Sequence, residues 1–105
     1  MESQFKKGLI ELCVLEYLSS KECYGYELIE SVSSVIPITK GTLYPLLRRL
    51  QKEGYLDYYL KESELGPVRK YYIITSSGLD RLNISKNEWF NIAEAVTRFL
   101  KGEKM

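Results

Sequence analysis

The side chains best suited to chemistry lie between residues 40 and 70, where seven Lys and Arg stand against four Asp and Glu. Residues 1–39 carry three cations and six carboxylates, and residues 71–105 carry five and four, so an overall charge of +1 hides a local basic surplus. Within that surplus Gly41, Pro45, Arg48 and Lys52 recur at three- and four-residue steps. On a helix this places them on one face, with Tyr44 and Arg49 on its flanks. A small residue near a helix start, a phenol and several cations suit contact with phosphates and base edges in a major groove. Arg offers a planar fork that matches guanine, and Lys a point charge for phosphate. The plain alternative is a solvated face, and charge alone does not separate the two.

Other chemistry has little to work with. The chain has no histidine, so the usual general base and the usual transition-metal ligand are missing. Two cysteines, Cys13 and Cys23, are too few for a disulfide scaffold. Cys13 falls in an apolar stripe and reads as a small core residue. Carboxylate spacing suggests no enzymatic pair, and no cofactor loop or metal-ligand spacing occurs. No run of ~20 apolar residues exists to span a membrane. Lys6 and Lys7 precede an apolar stretch, but Glu11 and Glu16 interrupt it and no small-residue cleavage site follows, which argues against a signal peptide. The expectation is a soluble cytoplasmic domain that is not an enzyme and takes no cofactor.

The 105 residues, 45% hydrophobic and 28% charged, suffice for one small unit. A first helix runs roughly over 5–19, apolar around much of its circumference, with Glu11 and Glu16 on its wetter side. A second starts near Gly25, carries Leu28, Ile29, Val32, Val35 and Ile36, and is ended by Pro37. A third runs over about 40–53 with the stripe Leu43, Leu46, Leu47 and Leu50, and Gly54 supplies a left-handed stop. Pro45 fits a first turn, which makes Thr42 one candidate N-cap; Thr39 is the other, at the cost of one internal hydrogen bond.

Two strand-like runs follow, over 55–61 and 68–75, around a polar tip at 62–67. Thr75 then caps a last helix reaching about Lys101, with Leu79, Leu82, Trp89, Ala93, Val96 and Leu100 in a heptad-like seam. Ser85 and Glu88 form a capping-box pattern, so a break near 83–87 is open. The fold class is therefore mainly α with a small β-hairpin. It is a winged helix-turn-helix over residues 1–75 plus a long C-terminal helix over 76–105, in one structural unit.

Three spaced motifs make the reading specific: Tyr24-Gly25-Tyr26-Glu27-Leu28, Gly41-Thr42-Leu43-Tyr44-Pro45-Leu46-Leu47-Arg48-Arg49-Leu50 followed by Glu53-Gly54, and Arg69-Lys70-Tyr71-Tyr72 followed by Thr75 and Gly78. In this order they resemble the PadR family of transcriptional regulators, closely over residues 7–82. The resemblance implies a homodimeric repressor acting on a pseudo-palindromic operator of double-stranded DNA, in the short form whose single C-terminal helix makes the dimer. The wing tip departs from the family: Gly66 is followed directly by Pro67, where a basic residue more often intervenes.

The expected DNA contacts are Tyr24, Lys40, Thr42, Tyr44, Pro45, Arg48, Arg49, Lys52, Arg69 and Lys70. Tyr24 is equally readable as a packing aromatic. Arg69 and Lys70 point to opposite sides of a strand, so only one of them faces DNA. The expected dimer interface is Leu9, Leu82, Trp89, Phe90, Ala93, Val96, Phe99 and Leu100, an apolar stripe wider than a domain this small can bury alone. The resemblance also implies a small aromatic effector beside Trp89, although an aromatic on a seam is first a packing anchor. The rival reading is a winged-helix protein-interaction module that does not touch DNA.

Overall fold

A computed structural model describes residues 3–103. The chain order is α1 (Gln4–Ser20), β1 (Cys23–Tyr24), α2 (Gly25–Ser33), α3 (Lys40–Lys52), β2 (Leu56–Ser63), β3 (Gly66–Ile74) and α4 (Ser76–Leu100). Ser3 caps α1 by accepting from the Lys6 amide at 3.1 Å. One apolar side of α1 buries Ile10, Val14, Leu15 and Leu18. Onto it close Leu28 and Val32 of α2, Leu43, Leu47 and Leu50 of α3, and Leu56, Tyr72 and Leu82 from the remaining elements. Each fully buried leucine stabilises the fold by roughly 1.5–3 kcal/mol relative to exposure.

The hairpin is part of a three-stranded antiparallel sheet in the order β1-β3-β2. Cys23 pairs with Tyr72, and Tyr24 with Tyr71. The expected connection around Cys23 is thus a short strand, and Cys23 is a core residue. Burial, followed by the nearby Glu27, pushes its thiol up to about 11 against the opposing effect of Lys21. The hairpin strands run closer to the tip than expected, with Ser63 opposite Gly66. Only Glu64 and Leu65 lie between them.

Three element boundaries differ from the sequence reading or resolve it. First, α2 stops at Ser33, short of Val35 and Ile36. The Ser33 hydroxyl bonds both the Ile38 carbonyl and the Ile38 amide at 3.4 Å, taking up backbone groups that lie past the helix end.

Second, α3 is capped at Thr39, not Thr42, and Pro45 lies inside the helix. Pro45 has no amide hydrogen, so the Gly41 carbonyl lacks its i+4 partner. The far end of α3 closes as expected: Gly54 has φ +85°, and the Tyr55 amide reaches back to the Leu50 carbonyl at 2.9 Å.

Third, α4 is continuous through residues 83–87. Lys86 there pairs with Glu16 of α1. Its N-terminus is capped by Thr75, whose Oγ1 accepts from the Gly78 amide at 3.0 Å.

Candidate nucleic-acid interface

The leucine stripe of α3 is turned into the core, so its opposite side is presented outward. Lys40, Gly41, Pro45, Arg48 and Lys52 are all exposed. Among the described residues neither Arg48 nor Lys52 takes part in an ion pair, and neither does Lys40. Arg49, one residue on, is placed differently. Its Nη1 donates to Glu53 Oε1 at 2.6 Å and its Nη2 to Glu11 Oε2 at 3.1 Å. Arg49 therefore faces α1, with both of its carboxylate partners inside the chain. Thr42, half-buried in the first turn, also turns toward α1, and with Pro45 it lines the groove between the two helices.

Tyr44 is half-buried against the start of α2. A methyl at Gly25 would come within 2.6 Å of its phenol oxygen, so a larger residue there would have to push the Tyr44 ring aside. The neighbouring Tyr72 ties this corner to the sheet. Burial raises its phenol above the ordinary range; Tyr44 raises it further, and Arg48 works in the opposite direction. Arg48 is thus close enough to Tyr72 of β3 for its charge to act on the phenol.

Strand alternation separates the two wing cations. Lys70 shares the Tyr72 side of the sheet, with its Nζ 4.0 Å from the Tyr58 ring centroid and 5.5 Å from that of Tyr72. It is the hairpin cation on the side of α3. On the other side Tyr59 stacks on Tyr71 at 5.6 Å and 17°, and Tyr24 meets Tyr71 at 5.6 Å and 53°. Arg69 lies 4.6 Å over Tyr24, and Lys61 lies 5.2 Å over Tyr71. Tyr24 is thereby a packing aromatic within a tyrosine ladder. Tyr58 and Lys61 were not singled out from sequence, although the hairpin register, which sets Lys61 opposite Arg69 and Tyr58 opposite Tyr72, carries the signal.

A second surface lies on the distal half of α4. Trp89 is 38% exposed, Phe90 59%, Val96 47%, Phe99 76% and Leu100 78%. Ala93 and Leu9 are half-buried beside them. Leu82, expected on the same surface, is instead buried in the core of its own chain. Trp89 forms part of the wall of two open clefts. One, of about 360 Å³, lies between α1, α2 and α4 and includes Cys13, Tyr17, Val32 and Phe90. The other, of about 430 Å³, runs along α1 past Phe5, Leu9, Leu12 and Ile92. Among the described residues no group of His, Cys, Asp and Glu is arranged to hold a metal, and no helix is long and apolar enough to cross a membrane.

Residues 14–84 match the PadR-like family of transcriptional regulators. The whole chain is similar to a solved PadR-like transcriptional regulator of Bacillus cereus, 43% identical, with a TM-score of 0.85 over 96% of this chain and 100% of that one. It also resembles a PadR family transcription regulator of Clostridium difficile, 33% identical, with a TM-score of 0.80 over 87% of this chain and 97% of that one. A protein of Lysinibacillus sphaericus is 30% identical over 106 residues, 97% of each chain. The winged-helix architecture with a long final helix is common to these solved structures and to this chain.

Proposed function

The chain belongs to the PadR-like family of transcriptional regulators, which are not enzymes, and from that premise we propose that it binds operator DNA as a homodimer. The described part of residues 1–75 forms the reading head and α4 (Ser76–Leu100) the dimerisation helix. The observation that carries the DNA reading is the outward side of α3, where Arg48 and Lys52 stand exposed and unpaired among the described residues, while Lys70 of the hairpin lies over Tyr58 on the Tyr72 side of the sheet. Two copies of α3 enter successive major grooves about one helical turn apart, on a pseudo-palindromic site. Arg48 reads a base edge or a phosphate; Lys52, Lys40 and Lys70 add phosphate contacts.

The dimer reading is supported by the apolar distal half of α4. Six large side chains there, Ile92 among them, are more than a third exposed, a patch that soluble monomers rarely leave open. Trp89, Phe90, Ala93, Val96, Phe99 and Leu100, with Leu9, form the contact, and Leu82 supports it from the core. Repression in the cytoplasm, relieved by a small flat aromatic molecule beside Trp89, completes the reading. The cleft of about 360 Å³ next to Trp89 has the dimensions for such a molecule.

Fluorescence anisotropy tests it, with DNA from immediately upstream of the gene beside a scrambled duplex, at two salt concentrations. Preference for the native fragment that survives the higher salt is the expected result. Equal, salt-sensitive binding to both moves the operator elsewhere. No binding at low salt favours a protein-interaction module, a reading supported by the carboxylates Glu62 and Glu64 beside the fully exposed Leu65 at the wing tip.

A further inference from the structure

We infer that Glu11 is a positioning residue that sets the inclination of α3 against α4, and with it the half-site spacing the dimer accepts. The inference rests on the DNA-binding reading above. Glu11 lies on α1, which packs against α4. Its side chain is only 14% exposed. One carboxylate oxygen accepts from Arg49 of α3 at 3.1 Å; the other lies 3.9 Å from Nη2 of Arg81 on α4. That second oxygen is closed to solvent and has no hydrogen-bond partner, so the Arg81 charge is what offsets its burial. Arg81 in turn stands 5.6 Å over the ring of Tyr55, the residue immediately after the α3 stop.

The setting makes this contact more than one surface pair among several. A groove of about 700 Å³ separates the N-terminal part of α1 from α3, lined by Lys7, Gly8, Gly41 and Pro45 among others. Glu11 and Arg49 are both on its wall and bond to each other. The leucine stripe holds α3 to the core by apolar contacts that are individually non-directional. A charge-assisted bond at the edge of the groove adds a directional constraint to that packing. The same carboxylate faces α4, so the tilt is referred to the helix that carries the other half of the dimer.

The test uses the full chain and an operator recovered by in vitro selection with the wild-type protein. Duplexes are made with the two half-sites at the selected spacing and one base pair closer or farther apart. Wild-type protein is expected to prefer the selected spacing by about tenfold. Glu11→Gln is expected to compress that preference to below about threefold while retaining the dimer in sedimentation and the helical circular dichroism spectrum. Arg81→Met, which leaves the outward side of α3 untouched, gives the same compression. The double variant adds little to either single one, because all three side chains form one network.

A destabilised protein that keeps its tilt loses affinity on all three duplexes in parallel, and that outcome overturns the inference. So does an unchanged preference in both variants, or a wild-type protein that binds all spacings alike. If Glu11→Gln does not fold, Arg81→Met decides alone. Wild-type protein that selects no sequence at all sinks the DNA reading and this inference together, whereas spacing preference intact in the variants sinks this inference alone.

Discussion

Arg48 and Arg49 are adjacent, share a charge and belong to one helix, yet the chain uses them in different ways. Arg48 is exposed, in no ion pair among the described residues, and lies close enough to Tyr72 of β3 for its charge to act on the phenol. Arg49 turns toward α1 and is bound by two carboxylates. The same division recurs on a larger scale between the outward side of α3 and the distal half of α4. The first is cationic and backed by Leu43, Leu47 and Leu50; the second is apolar, and its last described buried residue is Leu82. On the proposed function, the first would be completed by opposite charge and weakened by salt; the second would be completed by apolar burial and be nearly indifferent to salt.

The largest effect is expected where the cationic surface is backed. Leu47→Ala leaves a cavity under α3 and lowers stability by about 2–5 kcal/mol, read as an earlier thermal or urea transition. Val96→Asp puts a charge into the apolar surface and costs dimerisation about 2 kcal/mol or more, seen as monomer in sedimentation at micromolar concentration, with little change in the fold of each head. A dimer that persists would place the subunit contact elsewhere.

Arg48→Ala is expected to weaken specific binding by about 1–3 kcal/mol, with relaxed preference at one base pair if the guanidinium reads an edge. Arg49→Ala, by contrast, is expected to change binding mainly through spacing. Lys52→Ala has the smallest binding effect: a uniform loss across sequences and a salt slope shallower by about one unit. A thiol held up to about 11 at Cys23 contributes stability at neutral pH that declines as pH rises past the ordinary 9.0 toward 11, because the unfolded chain ionises first. Urea transitions at pH 7 and pH 10 measure it, and Cys23→Ser, which removes the titration, flattens the difference.

What the sequence made legible follows the range of the interactions. The leucine stripe of α3, the Gly54 stop and the Thr75 cap are written within a few residues, and the structure has them as read. The two-residue strand at Cys23 was not legible, since its existence depends on Tyr71 and Tyr72 far along the chain. The apolar spacing of Val35 and Ile36 continued a pattern past the point where the Ser33 hydroxyl takes up Ile38 and the helix ends. The Ser85-to-Glu88 pattern offered a helix restart, but α4 runs unbroken through it.

For the candidate site, helical geometry separated the outward residues of α3 from its stripe. It did not assign Arg49, whose partner Glu11 lies 38 positions away. Nor did a seam pattern distinguish Leu82, which serves its own core, from Trp89 and Phe99 farther along the same helix. Periodicity reports which side of a helix is apolar, while the lengths of neighbouring elements decide how much of that side they cover.

The split in α4 has a consequence for control. When the reading unit is assembled from two copies through a surface that one copy leaves open, occupancy of DNA depends on mass action between them. At concentrations below the dimer dissociation constant, the active species grows with the square of the protein present. A doubling of synthesis then raises operator occupancy by more than twofold, and a regulator that represses its own gene gains a sharper set point from the same helix.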